Sequence, residues 1–308
     1  KPLRSPPARP HFMTPYTLAD LQSRNRLDAG HVKPARLAVI GSPVKHSASP
    51  RMHQPALDEA GIDARYVAVE VDPGAVAEAF QQMRALGFIG TNVTVPHKFD
   101  AKAACDEIDE AAEMLGAVNT VRFDPDATRG SNTDGYGFEQ AVRESLDFSL
   151  EGQSVMIAGA GGGAGGAIAA HCVLAGVSRL VLANRTVSKI EALAARLSGR
   201  GTEILTTSLG SPEVTRLAWD SRLLVNTSSL GLKTDDPSPL LPECFQPHHA
   251  VFDTIYQPPI TPFLRAARTA GASAANGQDM LLHQGIQAFR FWFPESQPEA
   301  AMRRGLAG

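Results

Sequence analysis

Apolar and polar positions along this chain fall into blocks that switch repeatedly between strand and helix patterns. Residues 36–41 (RLAVIG) form a nearly unbroken apolar run, as expected of a buried strand, and residues 65–71 (RYVAVEV) alternate as a second strand. Between them, Ser49-Pro50 reads as an N-cap followed by proline at the first helical position. Pro55, inside that helix, predicts a kink or a delayed start. A helix from about Pro73 to Leu86 precedes the strand in TNVTVPHK (91–98). The Ala- and Glu-rich residues 101–115 read as a helix, and AVNTVRF (117–123) returns to strand.

The second half repeats the alternation. SVMIA (154–158) is an apolar strand that runs straight into glycines. RLVLAN (179–184), a helix over 186–197, TEIL (202–205), RLLVN (222–226) and AVFDT (250–254) follow, then helices over 261–270 and 278–291. The pattern predicts an α/β protein of two units joined near residue 135, with mainly parallel sheets covered by helices. No repeat of 20–50 residues is visible.

Composition narrows the partners. The 308 residues suffice for two domains, and 43% hydrophobic residues allow a substantial core. Lys plus Arg is 29 against 32 for Asp plus Glu, a balance that argues against nucleic acid or an acidic membrane surface. No apolar run approaches the ~20 residues of a membrane helix. The run around 155–183 is broken by its glycines, His171 and Arg179. Cys105, Cys172 and Cys244 have no CxxC spacing, which favours a reducing, cytoplasmic setting over a disulfide framework. Cys244, His248 and His249 lack a fourth ligand at zinc spacing, so no metal site is expected. Residues 1–34, rich in Pro and Arg without a signal-peptide pattern, read as an extension of unassigned role.

Candidate chemistry lies in two places. AGAGGGAGGA (158–167) follows a strand and opens a helix; Gly159, Gly161 and Ala164 fit G-x-G-x-x-A, the turn that brings backbone amides to a pyrophosphate. No acidic residue occurs from Gly166 to Ile190, where an NAD site places its ribose-binding acid. The next strand ends instead in Asn184-Arg185-Thr186, with Lys189 a turn later, which favours the 2′-phosphate of NADP. The second place is the polar set HSASP (46–50), Asn92, Thr94, Lys98, Asn119 and NTDGYG (132–137). Each alone has an ordinary structural reading. Together they fall at or near C-terminal strand ends, where open α/β sheets bind ligands. Lys98, emerging beyond Pro96, could exchange a proton with a substrate oxygen beside Asp134.

Beyond residue 35 the chain resembles the shikimate dehydrogenase family. The matching stretches are GSPVKHSASPRMH, GTNVTVPHK, GAVNT, NTDGYG, GAGGGAGGA, ANRT, NTSSLGL, DTIYQPPITPFL and GQDMLLHQGIQAF. The resemblance implies an NADPH-dependent reduction of 3-dehydroshikimate to shikimate by a monomer or homodimer. It implies that Ser47 and Ser49 hold the substrate carboxylate, with Tyr256 nearby. Thr94, Asn119, Asp134 and Gln284 would meet the ring hydroxyls, and Lys98 and Asp134 form the catalytic pair. The cofactor would lie on Gly159, Ala160, Gly161, Gly162, Gly163, Ala164, Asn184, Arg185, Thr186, Lys189, Thr227 and Gly277. Residues 35–134 and 277–308 would form the substrate domain and 135–276 the NADP domain. Gln54 and Gly165 depart from the family pattern, the latter replacing a frequent arginine. Two other readings compete: a quinate or quinate/shikimate dehydrogenase using NAD, and a non-catalytic nucleotide sensor of the same fold.

Overall fold

The computed structural model describes residues 14–233 and 235–307. The first sheet contains β1 (Tyr16–Thr17), β2 (Ala35–Gly41), β3 (Arg65–Glu70), β4 (Gly90–Val93), β5 (Glu107–Ile108), β6 (Thr120–Phe123) and β7 (Thr128–Ser131), in the order β1-β3-β2-β4-β6-β7-β5. It is mainly parallel, but β6 runs antiparallel to both β4 and β7. The second sheet contains β8 (Ser154–Ala158), β9 (Arg179–Asn184), β10 (Glu203–Ser208), β11 (Leu223–Asn226), β12 (Ala250–Asp253) and β13 (Ser273–Asn276). All its pairings are parallel, in the order β10-β9-β8-β11-β12-β13, the 3-2-1-4-5-6 arrangement of a dinucleotide-binding sheet.

Helices cover both sheets. In chain order they are α1 (Arg24–Leu27), α2 (Ser49–Glu59), α3 (Val76–Ala85), α4 (Lys98–Ala103), α5 (Glu110–Leu115) and α6 (Asp134–Leu146). Then come α7 (Gly163–Leu174), α8 (Val187–Leu197), α9 (Glu213–Trp219), α10 (Pro262–Thr269), α11 (Gln278–Trp292) and α12 (Glu299–Ala307). Two of them tie the lobes together. α6 packs Phe138 edge-on against Phe252 of β12. α11 leaves the second sheet and buries Leu282, Ile286, Phe289 and Trp292 among Leu37, Met52 and Tyr66 of the first lobe. Helices α6 and α11 approach closely because Gly137 has no side chain: a Cβ there would sit 2.8 Å from the backbone of Met280 and Gln284.

The structure corrects three expectations. Residues 16–34 are not an appendage. β1 pairs with β3, and Leu21 and Leu27 are buried in the core of the first lobe. Arg65 fastens the segment by donating to the carbonyls of Lys33 and Leu27 and pairing with Asp28. The part of that expectation concerning residues 1–13 lies outside the described residues. The predicted helix over 101–115 is two short helices with β5 between them. Asp106 causes the break, since its backbone N–H and side chain both bond the backbone of Thr128. α2 begins at Ser49 and runs past Pro55, so the proline does not delay its start. The carbonyl it cannot satisfy, that of Arg51, faces Gly305 of α12, a close approach that glycine alone permits.

Candidate active site

The stretch TNVTVPHK is a strand end anchored from below. β4 stops at Val93, Thr94 N–H donates to the Ile40 carbonyl, and the chain turns at Pro96. The His97 ring is fully buried, with Nε2 2.7 Å from the Val71 carbonyl. That anchor fixes the start of α4, so its first residue, Lys98, points back over the strand ends. Lys98 Nζ donates to Asp134 Oδ2 at 2.5 Å. The lysine and aspartate side chains are 15% and 11% exposed, so the pair is largely shielded from water.

Asp134 opens α6, where the helix dipole is positive. Its second oxygen accepts from Asn119 Nδ2 at 2.7 Å. Asn119 is itself held on all sides. It donates to Thr133 Oγ1, and its oxygen accepts from the Thr133 backbone and the Thr120 hydroxyl. Thr120 accepts from Asn92 Nδ2 at 3.0 Å, and Asn92 Oδ1 accepts from the Tyr66 phenol at 2.6 Å. Ser49 lies beside the same phenol. Burial pushes the Tyr66 pKa far up, so the phenol stays a neutral donor. One buried chain of hydrogen bonds therefore joins Tyr66 through Asn92, Thr120, Asn119 and Asp134 to Lys98.

Above this chain lies a cavity of about 430 Å³. Its walls include Ser47, Ser49, Thr94, Lys98, Asn119, Asp134, Tyr256 and Gln284, every residue expected at the substrate. Ser47 Oγ accepts from the Ser49 N–H, and the two serines flank the start of α2. Tyr256 comes from the second lobe; burial raises its pKa and the charge of Arg51 opposes the rise. Gln284 reaches the cavity from α11 and donates to the Leu281 carbonyl. Asn92 lines the cavity too, but its amide is spent on Thr120 and the Asn119 carbonyl. Sequence reasoning misses the anchors His97, Thr120 and Tyr66, whose spacing carries no chemical signal.

The glycine loop closes the far wall, with Ala164 and Gly277 lining the same cavity. Gly159 follows β8 with φ +86°, and a Cβ there would come within 2.6 Å of Ser228 N. A Cβ on Gly161 would meet Asn184 Nδ2 at 2.7 Å. A Cβ on Gly165 would lie 2.7 Å from both Ala160 Cα and Thr227 Oγ1, so this position is closed to the arginine expected from the family pattern. Thr227 is held there by its bond to the Ala158 carbonyl. Around Gly163, at the start of α7, the space is open, and a Cβ on Gly162 would make only ordinary contact with the Gly159 carbonyl at 3.7 Å. Asn184 Nδ2 donates to the Thr186 carbonyl, shaping the turn after β9. Among the described residues neither Arg185 nor Lys189 forms an ion pair. The first amides of α7 beside two cations without an ion pair fit a phosphorylated dinucleotide.

Comparison with known proteins agrees with this geometry. The family model for the shikimate dehydrogenase substrate binding domain matches residues 39–121. A shikimate dehydrogenase (NADP(+)) of Methanopyrus kandleri is 39% identical over 273 residues, covering 88% of this chain and 94% of the relative. The shikimate 5-dehydrogenase of Thermus thermophilus, solved with NADP(H) and shikimate, is 36% identical with a TM-score of 0.76, covering 88% of this chain and 99% of that one. The quinate dehydrogenase of Corynebacterium glutamicum, solved with NAD, is 30% identical with a TM-score of 0.77, covering 88% and 98%. With relatives of this identity matched over nearly their whole length, the chain belongs to the shikimate dehydrogenase family.

Proposed function

We propose that this protein catalyses the NADP-dependent, reversible interconversion of 3-dehydroshikimate and shikimate. The observation that carries the reading is the shielded Lys98–Asp134 pair, in a hydroxyl- and amide-lined cavity whose opposite wall is the end of a dinucleotide loop. Lys98 and Asp134 are the catalytic pair. Ser47, Ser49 and Tyr256 hold the substrate carboxylate. Thr94, Asp134 and Gln284 meet the ring hydroxyls. Both amide hydrogens of Asn119 are given to Thr133 and Asp134, so its main contribution is to orient Asp134.

NADPH, when bound, supplies the hydride. Gly159, Ala160, Gly161, Gly162, Gly163 and Ala164 would hold its pyrophosphate, with Thr227 and Gly277 at the cavity side. Asn184, Arg185, Thr186 and Lys189 would hold the 2′-phosphate end. Lys98 transfers a proton to the C3 oxygen as that oxygen gains negative charge, leaving a neutral amine that solvent reprotonates. Asp134 accepts from Lys98 throughout, which fixes the direction of the transferred proton. In the reverse direction the neutral lysine removes the hydroxyl proton. Pairing the ammonium with a shielded carboxylate, rather than water, keeps both in place before substrate arrives.

The test is to follow NADP⁺ reduction by absorbance with shikimate, then with quinate and with NAD⁺. Turnover with shikimate and NADP⁺ at well above the rate of either substitution supports the reading. A clear preference for quinate with NAD⁺ overturns it.

A further inference from the structure

At the C-terminal edge of the second sheet are two polar side chains that the reaction does not use. Asn226 ends β11 and Asp253 ends β12, side by side in the parallel register. Both residues are fully buried. Asp253 has no cationic partner among the described residues. Its Oδ1 accepts from Asn226 Nδ2 and from the Ile255 N–H, each at 3.0 Å, and its Oδ2 accepts from the Thr261 hydroxyl at 2.5 Å. A carboxylate buried among neutral donors is an expensive way to stabilise a sheet edge, and an apolar pair would do that better. Its three hydrogen bonds point to what it shapes.

Two loops meet at this pair. The first, 254–261, carries Thr254 and Tyr256 into the cavity. Ile255 at its start and Thr261 at its end both bond the one carboxylate, which closes the loop on itself. Thr261 also caps α10 through the Leu264 N–H. The second loop follows β11. Asn226 Oδ1 accepts from the Ser228 N–H and hydroxyl, and Asn226 Nδ2 donates to the Leu230 carbonyl. Ser228 lies against Gly159, the first glycine of the dinucleotide loop. The loop bearing Tyr256 and the loop that packs against the phosphate turn therefore share a single buried anchor.

We infer that Asn226, Asp253 and Thr261 form a positioning lock that fixes Tyr256 relative to the glycine loop, and so sets the separation between the substrate's carboxylate end and the cofactor. Asp253 is a positioning residue and touches no reacting atom. The inference rests on the reading of the cavity as a shikimate site with Tyr256 at the carboxylate.

The test is steady-state kinetics of Asp253→Ala, Asp253→Asn, Tyr256→Phe and the Asp253→Ala/Tyr256→Phe double variant. Asp253→Ala is expected to raise KM for shikimate about tenfold or more while KM for NADP⁺ moves less than about twofold, the scale of one lost charged hydrogen bond. Asp253→Asn keeps the acceptor for Asn226 and Ile255 and can donate to Thr261, so it should return KM to within about threefold. In the Asp253→Ala background, Tyr256→Phe should add less than about twofold, because the tyrosine is already displaced. If Asp253→Ala fails to fold, Thr261→Val reads the same loop: shikimate KM should rise about fivefold, with Thr261→Ser as the rescue. Unchanged shikimate KM in folded Asp253→Ala or in Thr261→Val overturns the lock. So do effects of Asp253→Ala and Tyr256→Phe that simply multiply. Tyr256→Phe alone leaving shikimate KM unchanged overturns the placement of Tyr256 at the substrate, and the lock that rests on it falls with it.

Discussion

The two walls of the cavity are built in opposite ways. On the first-lobe wall nearly every polar group already has a protein partner, from Tyr66 through Asn92, Thr120 and Asn119 to Asp134 and Lys98. On the second-lobe wall the glycine turn is open at Gly163, and Arg185 and Lys189 pair with no carboxylate among the described residues. One wall is finished before any ligand arrives; the other presents unused donors and charge. A finished network transmits damage at any of its members to the reacting atoms. An open cradle loses only the contact that is removed. The comparison therefore predicts large losses of turnover from the first wall and graded losses of affinity from the second.

The sharpest break comes at Lys98. Lys98→Ala removes the proposed proton donor and leaves Asp134 shielded without its cation. Turnover should fall by ~10²–10⁴, the range of a single general acid, while NADPH affinity measured by fluorescence titration stays within about twofold. A variant that turns over near the parent rate would take Lys98 out of the chemistry and leave the finished wall without a purpose.

On the open wall, Arg185→Ala should weaken NADPH by about tenfold to a hundredfold, as expected for losing a charge-assisted bond to phosphate. NADH, which lacks the 2′-phosphate, should be nearly unaffected, so the ratio of kcat/KM for the two cofactors reads the effect directly. Unchanged cofactor preference would show that the uncommitted guanidinium does not serve the nucleotide.

Acid offers a third way to separate the walls. The His53 ring stacks on Tyr66 at 4.5 Å, and neither ring nitrogen has a hydrogen-bond partner. Burial depresses its pKa to about 3. In the unfolded chain the imidazole titrates near ~6.5. Below that pH the unfolded state binds a proton that the native state refuses, so stability falls with pH until about 3. Between pH 7 and pH 5 this group alone removes ~2 kcal/mol. Urea melts of His53→Phe, which keeps an aromatic face against Tyr66, should show that much less acid sensitivity than the parent. An identical pH dependence in both proteins would mean that His53 is protonated in the fold.

The legible parts of the molecule are those where one physical demand dominates. β8, β9 and β11 lie inside a parallel sheet covered on both faces, so they read as continuous apolar runs and their sequence bounds match the strands almost to the residue. The glycine turn, Lys98 and Asp134 are legible because their chemistry restricts residue type. β7, Thr128–Ser131, has no apolar side chain and is a strand only because β6 and β5 flank it, so nothing in its sequence announces it. The segment around Leu21 and Leu27 reads as an extension because its two buried leucines are spaced among charges, and Arg65, far along the chain, holds it down. Asn92 reads as a ligand group from its place at a strand end; the partners that occupy it come from β3 and β6, beyond the reach of local pattern. Gly135 and Gly137 belong to the polar motif in sequence, yet their role is steric, admitting His171 of α7 and the backbone of α11.

The smallest expected effect gives the finest test, because it lies within three residues of one loop. Gly163 opens α7, its φ lies outside the left-handed region, and a Cβ there meets nothing within 4 Å. Gly165 lies two residues further on, and a Cβ there meets Ala160 Cα, Thr227 Oγ1 and the Gly159 carbonyl. Gly163→Ala should leave NADPH affinity within about twofold and raise stability by ~0.4–1 kcal/mol, since alanine fits the native backbone and restricts the unfolded chain. Gly165→Ala should instead lower both stability and affinity, because the contacts it forces are with backbone and a held threonine that cannot step aside. If the two substitutions behaved alike, the loop would be uniformly yielding. The contrast between a wall left open for a ligand and one closed by packing would then fail inside the motif that most clearly displays it.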